Sequence, residues 1–288
     1  MQGTDLVTWV ECPRDAWQGL PGLVPTTDKV AFLSELLDAG FEHLDMGSFV
    51  SPKLVPQLAD TEEVLLGLAP AGAADLLCII GNQRGLQRAQ AASGVTSVGY
   101  PLSVNDTFQR RNLGMSLEES WPLVERLRLE SAATGLELVV YLSMGFGNPY
   151  GEPWAPDDTA EAVARLRRLG VSRIALADTV GNADASRVSA VLASVDEPAQ
   201  LGLHLHARPG AWEVQVESAL GYGVRWFEGA LGGIGGCPFA DDELVGNLPT
   251  EAVLPFLTAA GMRTTVATAK LPALAARARG LAHAAGAQ

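Results

Sequence analysis

A closed (β/α)8 barrel, built as a single domain over residues 1–288, is the fold this sequence predicts. Three observations carry the prediction. Short apolar β-rich runs alternate with amphipathic helical patterns from end to end. The β-rich runs number eight and recur at intervals of roughly 30 residues, the size of a βα unit. Polar residues able to do chemistry follow many of these runs, as a ring of strand ends requires. An open doubly wound sheet would gather them at one switch point, and no Gly-x-Gly-x-x-Gly follows the first strand.

The elements follow in order. Leu6-Val-Thr-Trp-Val-Glu11 reads as the first strand, and a helix over Thr27–Ala39 opens on Thr26-Thr27-Asp28. Strands at Phe41–Met46 and Asp75–Ile80 flank a helix at Thr61–Leu68, and Ser97–Leu102 is the fourth strand. Helix Leu117–Ala133 leads into strand Leu136–Ser143, and helix Thr159–Leu169, opening on Asp157-Asp158, leads into Arg173–Leu176. Helix Ser186–Ala193 precedes strand Leu201–His206, and helix Ala211–Leu220 precedes strand Arg225–Glu228. The Ala/Leu/Arg-rich stretch Val266–Ala285 predicts one additional C-terminal helix outside the barrel.

Composition narrows the function classes. The chain is 48% hydrophobic and 18% charged, so it can bury a large core. Its formal charge of −13 is spread along the sequence, which argues against nucleic acid or an anionic membrane as partner. A small anionic substrate needs only a local positive pocket. Three unevenly spaced cysteines make no disulfide framework and point to a reducing compartment. Residue 1 is followed by no basic n-region, apolar h-region or Arg-rich presequence, and a cytoplasmic location is expected.

The chemistry concentrates in Leu201-Gly-Leu-His-Leu-His206. Alternate side chains of a strand share a face, so His204 and His206 can close on one metal ion. Strand ends in a barrel meet at one rim, which gathers further candidates. These are Arg14, Asp15 and Gln18 after the first strand, Asp45 and Ser48 at the second, and Ser103 and Asn105 after the fourth. Tyr141 and Ser143 belong to the fifth, and Asp178 and Thr179 follow the sixth. After the eighth comes a glycine-rich loop, about 231–247, holding Gly232-Gly-Ile-Gly-Gly-Cys-Pro238 and Asn247. Asp15, His204 and His206 with one amide or carboxylate oxygen make a mixed N/O set suited to Mg²⁺ or Mn²⁺, with positions left for a chelating substrate. Without a cysteine cluster, a structural zinc site is a poor fit.

Pro13-Arg-Asp15 with Gln18, Ser48-Phe-Val-Ser-Pro-Lys53, Asp178-Thr-Val-Gly181, His204-Leu-His206, and Gly232–Pro238 followed by Gly246-Asn247 resemble the 3-hydroxy-3-methylglutaryl-CoA lyases, members of the TIM-barrel metallolyases. Ser103, Phe108 and Asn112 extend the resemblance, which spans nearly the whole chain. It implies Asp15, His204, His206 and Asn247 as ligands of a divalent cation (Mg²⁺ or Mn²⁺). It implies catalytic roles for Arg14, which would neutralise the developing enolate oxygen, for Cys237 as proton donor or acceptor, and for His204 and Asp178. Asp178 reads as a strand-end hydrogen-bonder or a base, with orienting Arg14 or joining the ligands as the favoured role. Gln18, Asp45, Ser48, Tyr141, Ser143 and Thr179 would contact substrate. The implied partner is an acyl-CoA, with Lys53, Arg110 and Arg111 as the first cations to consider for its phosphates, and the expected assembly is a homodimer.

The pattern also departs from the family. Ala16-Trp17 replaces Gly-Leu and is expected to place a bulky ring beside the metal. Cys12 replaces a glycine-like residue, Asp45 is one methylene shorter than the expected glutamate, and Met46-Gly47 replaces two small hydroxylated residues. Ala207 cannot supply the polar contact normally following His-x-His. Val10 occupies the register of a first-strand glutamate, with Glu11 beside it. These changes cluster around the substrate, so the expected reaction is retro-Claisen cleavage of a 3-hydroxyacyl-CoA whose acyl group need not be hydroxymethylglutaryl. Two alternatives stand: a Claisen-condensing acyltransferase of the same superfamily, which usually carries further C-terminal segments and lacks the Cys-Pro loop, and a barrel repurposed to bind acyl-CoA without turnover.

Overall fold

In a computed structural model of the chain, the described residues are 5–68, 72–208, 210–236 and 245–287. Ten strands occur among them: β1 (Thr8–Glu11), β2 (His43–Ser48), β3 (Asp75–Ile79), β4 (Ser97–Ser103), β5 (Glu137–Ser143), β6 (Arg173–Ala177), β7 (Gly202–His204), β8 (His206–Ala207), β9 (Trp226–Gly229) and β10 (Gly246–Asn247). Eight of them, β1 to β7 with β9, close into a parallel barrel in sequence order. The expected (β/α)8 architecture is what the chain adopts. The two short strands β8 and β10 pair antiparallel above it.

Period-2 alternation builds the core on two sides of the barrel wall. Along β3, Leu76 and Cys78 pack outward into the large cluster shared with the helices, while Leu77 and Ile79 pack inward. Along β5, Leu138, Val140 and Leu142 face the helices, and Val139 and Tyr141 face inward with Ala175. The barrel interior is thus a compact apolar plug.

A polar network lies at the strand starts. Arg173 Nη1 donates to Asp75 at 2.7 Å and to Glu137 at 2.9 Å, Thr96 Oγ1 donates to Asp75 at 2.6 Å, and His43 Nδ1 lies 3.3 Å from the same carboxylate. Burial pushes the Asp75 carboxyl up, yet the hydrogen bond from His43, the Arg173 charge and the Ser97 and Thr96 hydroxyls together hold it well below the usual carboxylate range.

Helix Leu117–Ala133 starts on a capping box in which Ser116 Oγ accepts from the Glu119 N–H and Glu119 accepts from the Ser116 N–H. Asn82 and Asn105 cap helices Gln83–Ala91 and Asp106–Leu113. Those two, with Pro13–Gln18 and Thr250–Ala259, are helices that periodicity alone left unread. The additional C-terminal helix is present but begins at Leu271, because Pro272 fits only the first turn. Among the described residues, no helix is long and apolar enough to cross a membrane.

Candidate active site

The site is assembled at the strand ends from three local devices. The first is the short helix Pro13–Gln18, which Pro13 starts immediately after β1. Its spacing puts Arg14, Asp15 and Gln18 on one side: Arg14 Nη1 donates to Asp15 Oδ1 at 3.0 Å and to Gln18 Oε1 at 2.9 Å, and Gln18 Nε2 donates to Asp15 Oδ1 at 2.7 Å. The second is Asp45 at the middle of β2. It takes Arg14 Nε at 3.1 Å and 3.0 Å through its two oxygens and also accepts from Nη2, a bidentate clamp on the guanidinium.

The third device is a change of strand partner. The run expected as one strand over Leu201–His206 is interrupted at Leu205: β7 stays in the barrel, and His206 leaves it to pair with Asn247. This register brings the last expected ligand to the histidines. Asn247 Nδ2 donates to Asp15 Oδ2 at 2.6 Å and to the Ile234 carbonyl at 3.0 Å. The His204 and His206 ring centroids lie 5.1 Å apart, and His206 Nε2 is 3.9 Å from Asp15 Oδ2. Gly235, at φ +129°, passes so close to Asp15 and Asn247 that a Cβ there would collide with both.

Unsatisfied polar atoms test whether an ion belongs here. Asp15, His204 and His206 each offer a ligand atom within 4.8 Å of the others, and all three are buried. Both His206 nitrogens and Asn247 Oδ1 are buried without a hydrogen-bond partner. Buried polar atoms are seldom left so in a native fold. Burial pushes the Asp15 carboxyl up, but the Arg14 charge and both histidines more than reverse this and hold it far below the usual range. An ionised carboxylate and two imidazoles at one point, with an unpartnered amide oxygen on the neighbouring Asn247, fit a divalent cation.

The remaining expected residues separate into two groups. Arg14, Asp15, Gln18, Ser48, Tyr141, Ser143, Thr179, His204 and His206 all line one cavity of about 130 Å³. The Tyr141 hydroxyl is buried and without a partner, and burial first, then Glu228 and Asp45, push its pKa far up, so it stays a neutral donor. Asp45 does not line the cavity; it is fully buried behind Arg14, so its contact is with the guanidinium, not with substrate. Asp178 makes no contact with Arg14 and is not in the ligand group among the described residues. Its oxygens accept from the Asn182 and Ala183 N–H groups at 2.8 and 3.0 Å, fixing the turn after β6. Trp17 also corrects expectation: it packs against Phe32 at 6.3 Å between ring centroids, away from the cavity. Cys237 lies outside the described residues. Arg110 is paired with Asp106, and Arg111 stacks on Tyr150.

Sequence reasoning left Glu228 without a role. Its Oε2 lies 3.0 Å from His204 Nδ1, and its register partners are Val10 on β1 and His204 on β7. A carboxylate absent at Val10 is therefore supplied from the next strand. Glu11 does not supply it: its oxygens accept from Leu231 N–H at 2.7 Å and Thr250 Oγ1 at 2.6 Å, anchoring the start of the glycine loop. Burial lifts the Glu11 carboxyl to about 8 against those donors. Cys12 Sγ lies 3.9 Å from Glu228 Oε2, and burial, then Glu228, raise its thiol well above the ordinary range. The only advance signal for Glu228 was a carboxylate closing the eighth strand.

A family model described as HMGL-like matches residues 7–277. The chain belongs to the HMGL-like family. Its relatives include a hydroxymethylglutaryl-CoA lyase of Bacillus subtilis, 31% identical over 90% of this chain and 87% of that protein, and the mitochondrial hydroxymethylglutaryl-CoA lyase of Bos taurus, 34% identical over 90% and 80%. Among solved structures, the HMG-CoA lyase of Acinetobacter baumannii, in complex with coenzyme A and 3-methylmalate, superposes with TM-score 0.89 at 31% identity, covering 97% of this chain and 92% of that one. The Bacillus subtilis HMG-CoA lyase gives 0.90 at 29% identity, covering 99% and 96%. This HMGL-like chain brings Asp15, His204 and His206 into one buried group. The His206 ring has no hydrogen-bonding neighbour among the described residues.

Proposed function

We propose that the chain is a divalent-metal-dependent carbon–carbon lyase that cleaves a 3-hydroxyacyl-CoA to acetyl-CoA and a carbonyl product, as a cytoplasmic homodimer using Mg²⁺ or Mn²⁺. The observation that carries the reading is the buried group of Asp15, His204 and His206 beside Arg14 at one cavity, with Asn247 hydrogen-bonded to Asp15. Its family membership and the lyases among its relatives support it further.

Asp15, His204, His206 and the Asn247 amide would hold the ion, which when bound supplies Lewis acidity that lowers the pKa of the substrate's 3-hydroxyl. The protein's own groups do the rest. Cleavage of C2–C3 moves an electron pair onto the thioester, whose oxygen becomes an enolate. Arg14 has five N–H groups, of which four meet Asp45, Asp15 and Gln18, leaving one Nη2 proton for that oxygen. Because Asp45 fixes the guanidinium before substrate arrives, the charge needs no reorganisation as the enolate forms. The Tyr141 hydroxyl donates into the same cavity. Cys237, on the glycine-rich stretch, would take the 3-hydroxyl proton as its thiolate and return a proton to C2, so that the step balances. An acetyl-CoA release assay with a panel of 3-hydroxyacyl-CoA thioesters tests the reading: release that stops on chelation and returns with Mg²⁺ or Mn²⁺ supports it. Consumption of acetyl-CoA with 2-oxo acids would favour the condensing alternative instead.

A further inference from the structure

Lys29 is the one buried lysine of the three in the chain, 2% exposed on helix Thr26–Asp38, and it does not line the cavity. Its Nζ donates to the Gln57 carbonyl and to Asp60 Oδ1, both at 2.5 Å, and stands 5.8 Å from the centroid of the Trp17 ring. Those partners belong to two segments that border the cavity. Trp17 is carried by helix Pro13–Gln18, which holds Arg14, Asp15 and Gln18. Gln57 and Asp60 end the stretch that follows β2, and Val50, Leu54 and Val55 of that stretch line the same cavity. Further bonds fasten this end. Gln57 Nε2 donates to the Leu20 carbonyl at 2.7 Å, Thr26 Oγ1 to Asp60 Oδ2 at 2.7 Å, and the Ser48 N–H to Thr61 Oγ1 at 3.0 Å. The tip lies open to solvent, with Lys53 exposed and Leu54 61% exposed. Burying an ammonium is costly, and well-placed oxygens are what offset it. As a compact charge with three donors, Lys29 can hold two acceptors and an aromatic face at once.

We infer that Lys29 is a positioning residue: it fixes the segment 49–60 against helix Pro13–Gln18 and so sets where Val50, Leu54 and Val55 stand relative to Arg14 in the cavity. The kinetic consequence rests on the lyase reading, whereas the placement of the segment does not. Val50, Leu54 and Val55 carry no group that can transfer a proton or meet an enolate. Their contact with a substrate is made alike in the ground state and the transition state, and it belongs to binding. Without Lys29, the Asp60 carboxylate loses its cation and the Gln57 carbonyl its donor. The segment then keeps only the bonds of Gln57, Thr26 and Thr61, and its tip opens more often. Apparent affinity for substrate falls in proportion to the fraction of molecules with the segment in place. Arg14 is clamped independently by Asp45, so turnover of bound substrate is unaffected.

The test uses Lys29→Met, which keeps the side chain's length and removes its charge, and Asp60→Asn, a milder change that keeps an acceptor of the same shape. Brief trypsin treatment, with the cuts mapped by mass spectrometry, reads the segment through Lys53. The cut after Arg126, exposed on helix Leu117–Ala133, controls for general unfolding. In Lys29→Met the Lys53 cut should come about tenfold faster with the Arg126 cut unchanged. Under saturating Mn²⁺, KM for a cleaved 3-hydroxyacyl-CoA should rise about tenfold while kcat stays within about twofold of the parent. Asp60→Asn should move the Lys53 cut and KM in the same direction by about threefold each, and it decides the matter if Lys29→Met does not fold. Equal acceleration of both cuts would reduce Lys29 to a merely structural role and overturn the inference. So would an unchanged Lys53 cut, or a fall in kcat at constant KM. If the parent protein cleaves no 3-hydroxyacyl-CoA, the lyase reading fails, and the Lys53 cut still decides the placement of the segment.

Discussion

Replacing Glu228 by glutamine probes how far the ion's environment reaches beyond its ligands. Glu228 Oε2 sits 3.0 Å from His204 Nδ1, the carboxylate is fully buried, and the histidine side chain is only 9% exposed. With Glu228 as acceptor, that contact would hold the imidazole proton on Nδ1 and leave Nε2 as the nitrogen able to ligate an ion. A charge-assisted hydrogen bond of this kind contributes about 1.5–3 kcal/mol. Glutamine keeps an acceptor of similar size but loses the charge, so the loss should fall near the lower figure, roughly a tenfold weaker Mn²⁺ affinity. Alanine, leaving Nδ1 unpaired, should approach a hundredfold. Calorimetric titration of Mn²⁺ into each variant measures this, with thermal unfolding as a check on the fold and nitrogen NMR of His204 reporting the tautomer. A glutamine variant that binds Mn²⁺ like the parent, with an unchanged tautomer, would refute the orienting role.

Three other outcomes follow from the same geometry. Asp45→Asn releases the clamp on Arg14 and should lower kcat on the order of a hundredfold with little change in Mn²⁺ affinity, since Asp45 holds the cation that meets the enolate and not the ion; a metal titration beside the kinetics separates the two. Asp75 is held in its ionised form in the fold, so its contribution is present above its ordinary pKa of 3.8 and is lost as pH falls below it; Asp75→Asn should cost on the order of 2 kcal/mol at pH 7 and flatten the acid limb of the stability curve, as urea unfolding at several pH values would show. Cys237→Ser should slow turnover while leaving Mn²⁺ affinity intact, and an unaltered rate would demote the thiol to a bystander.

The barrel was legible because eight β-rich runs and their helical partners carry regular periodicities, and the helix Leu117–Ala133 even matched residue for residue. What spacing hides is contact across the barrel. That Asp45 serves Arg14, that Asp178 serves the turn at Asn182 and Ala183, and that Glu228 serves His204 all depend on lateral strand register, which no local pattern encodes. Trp17 misled because a bulky residue two positions after a ligand seemed bound to crowd it. On the helix Pro13–Gln18 those two positions are instead about half a turn, which aims the ring at Phe32. The break at Leu205 was unreadable for a related reason: β-propensity runs unbroken through His206, and only pairing with Asn247 pulls that residue out of the barrel sheet.

Anomalous diffraction from crystals grown with Mn²⁺ tests the central claim most directly. A single strong peak bounded by Asp15, His204, His206 and Asn247, with open positions toward the cavity, is the predicted result. A peak held by other residues, or no peak at a Mn²⁺ concentration that sustains turnover, would contradict it.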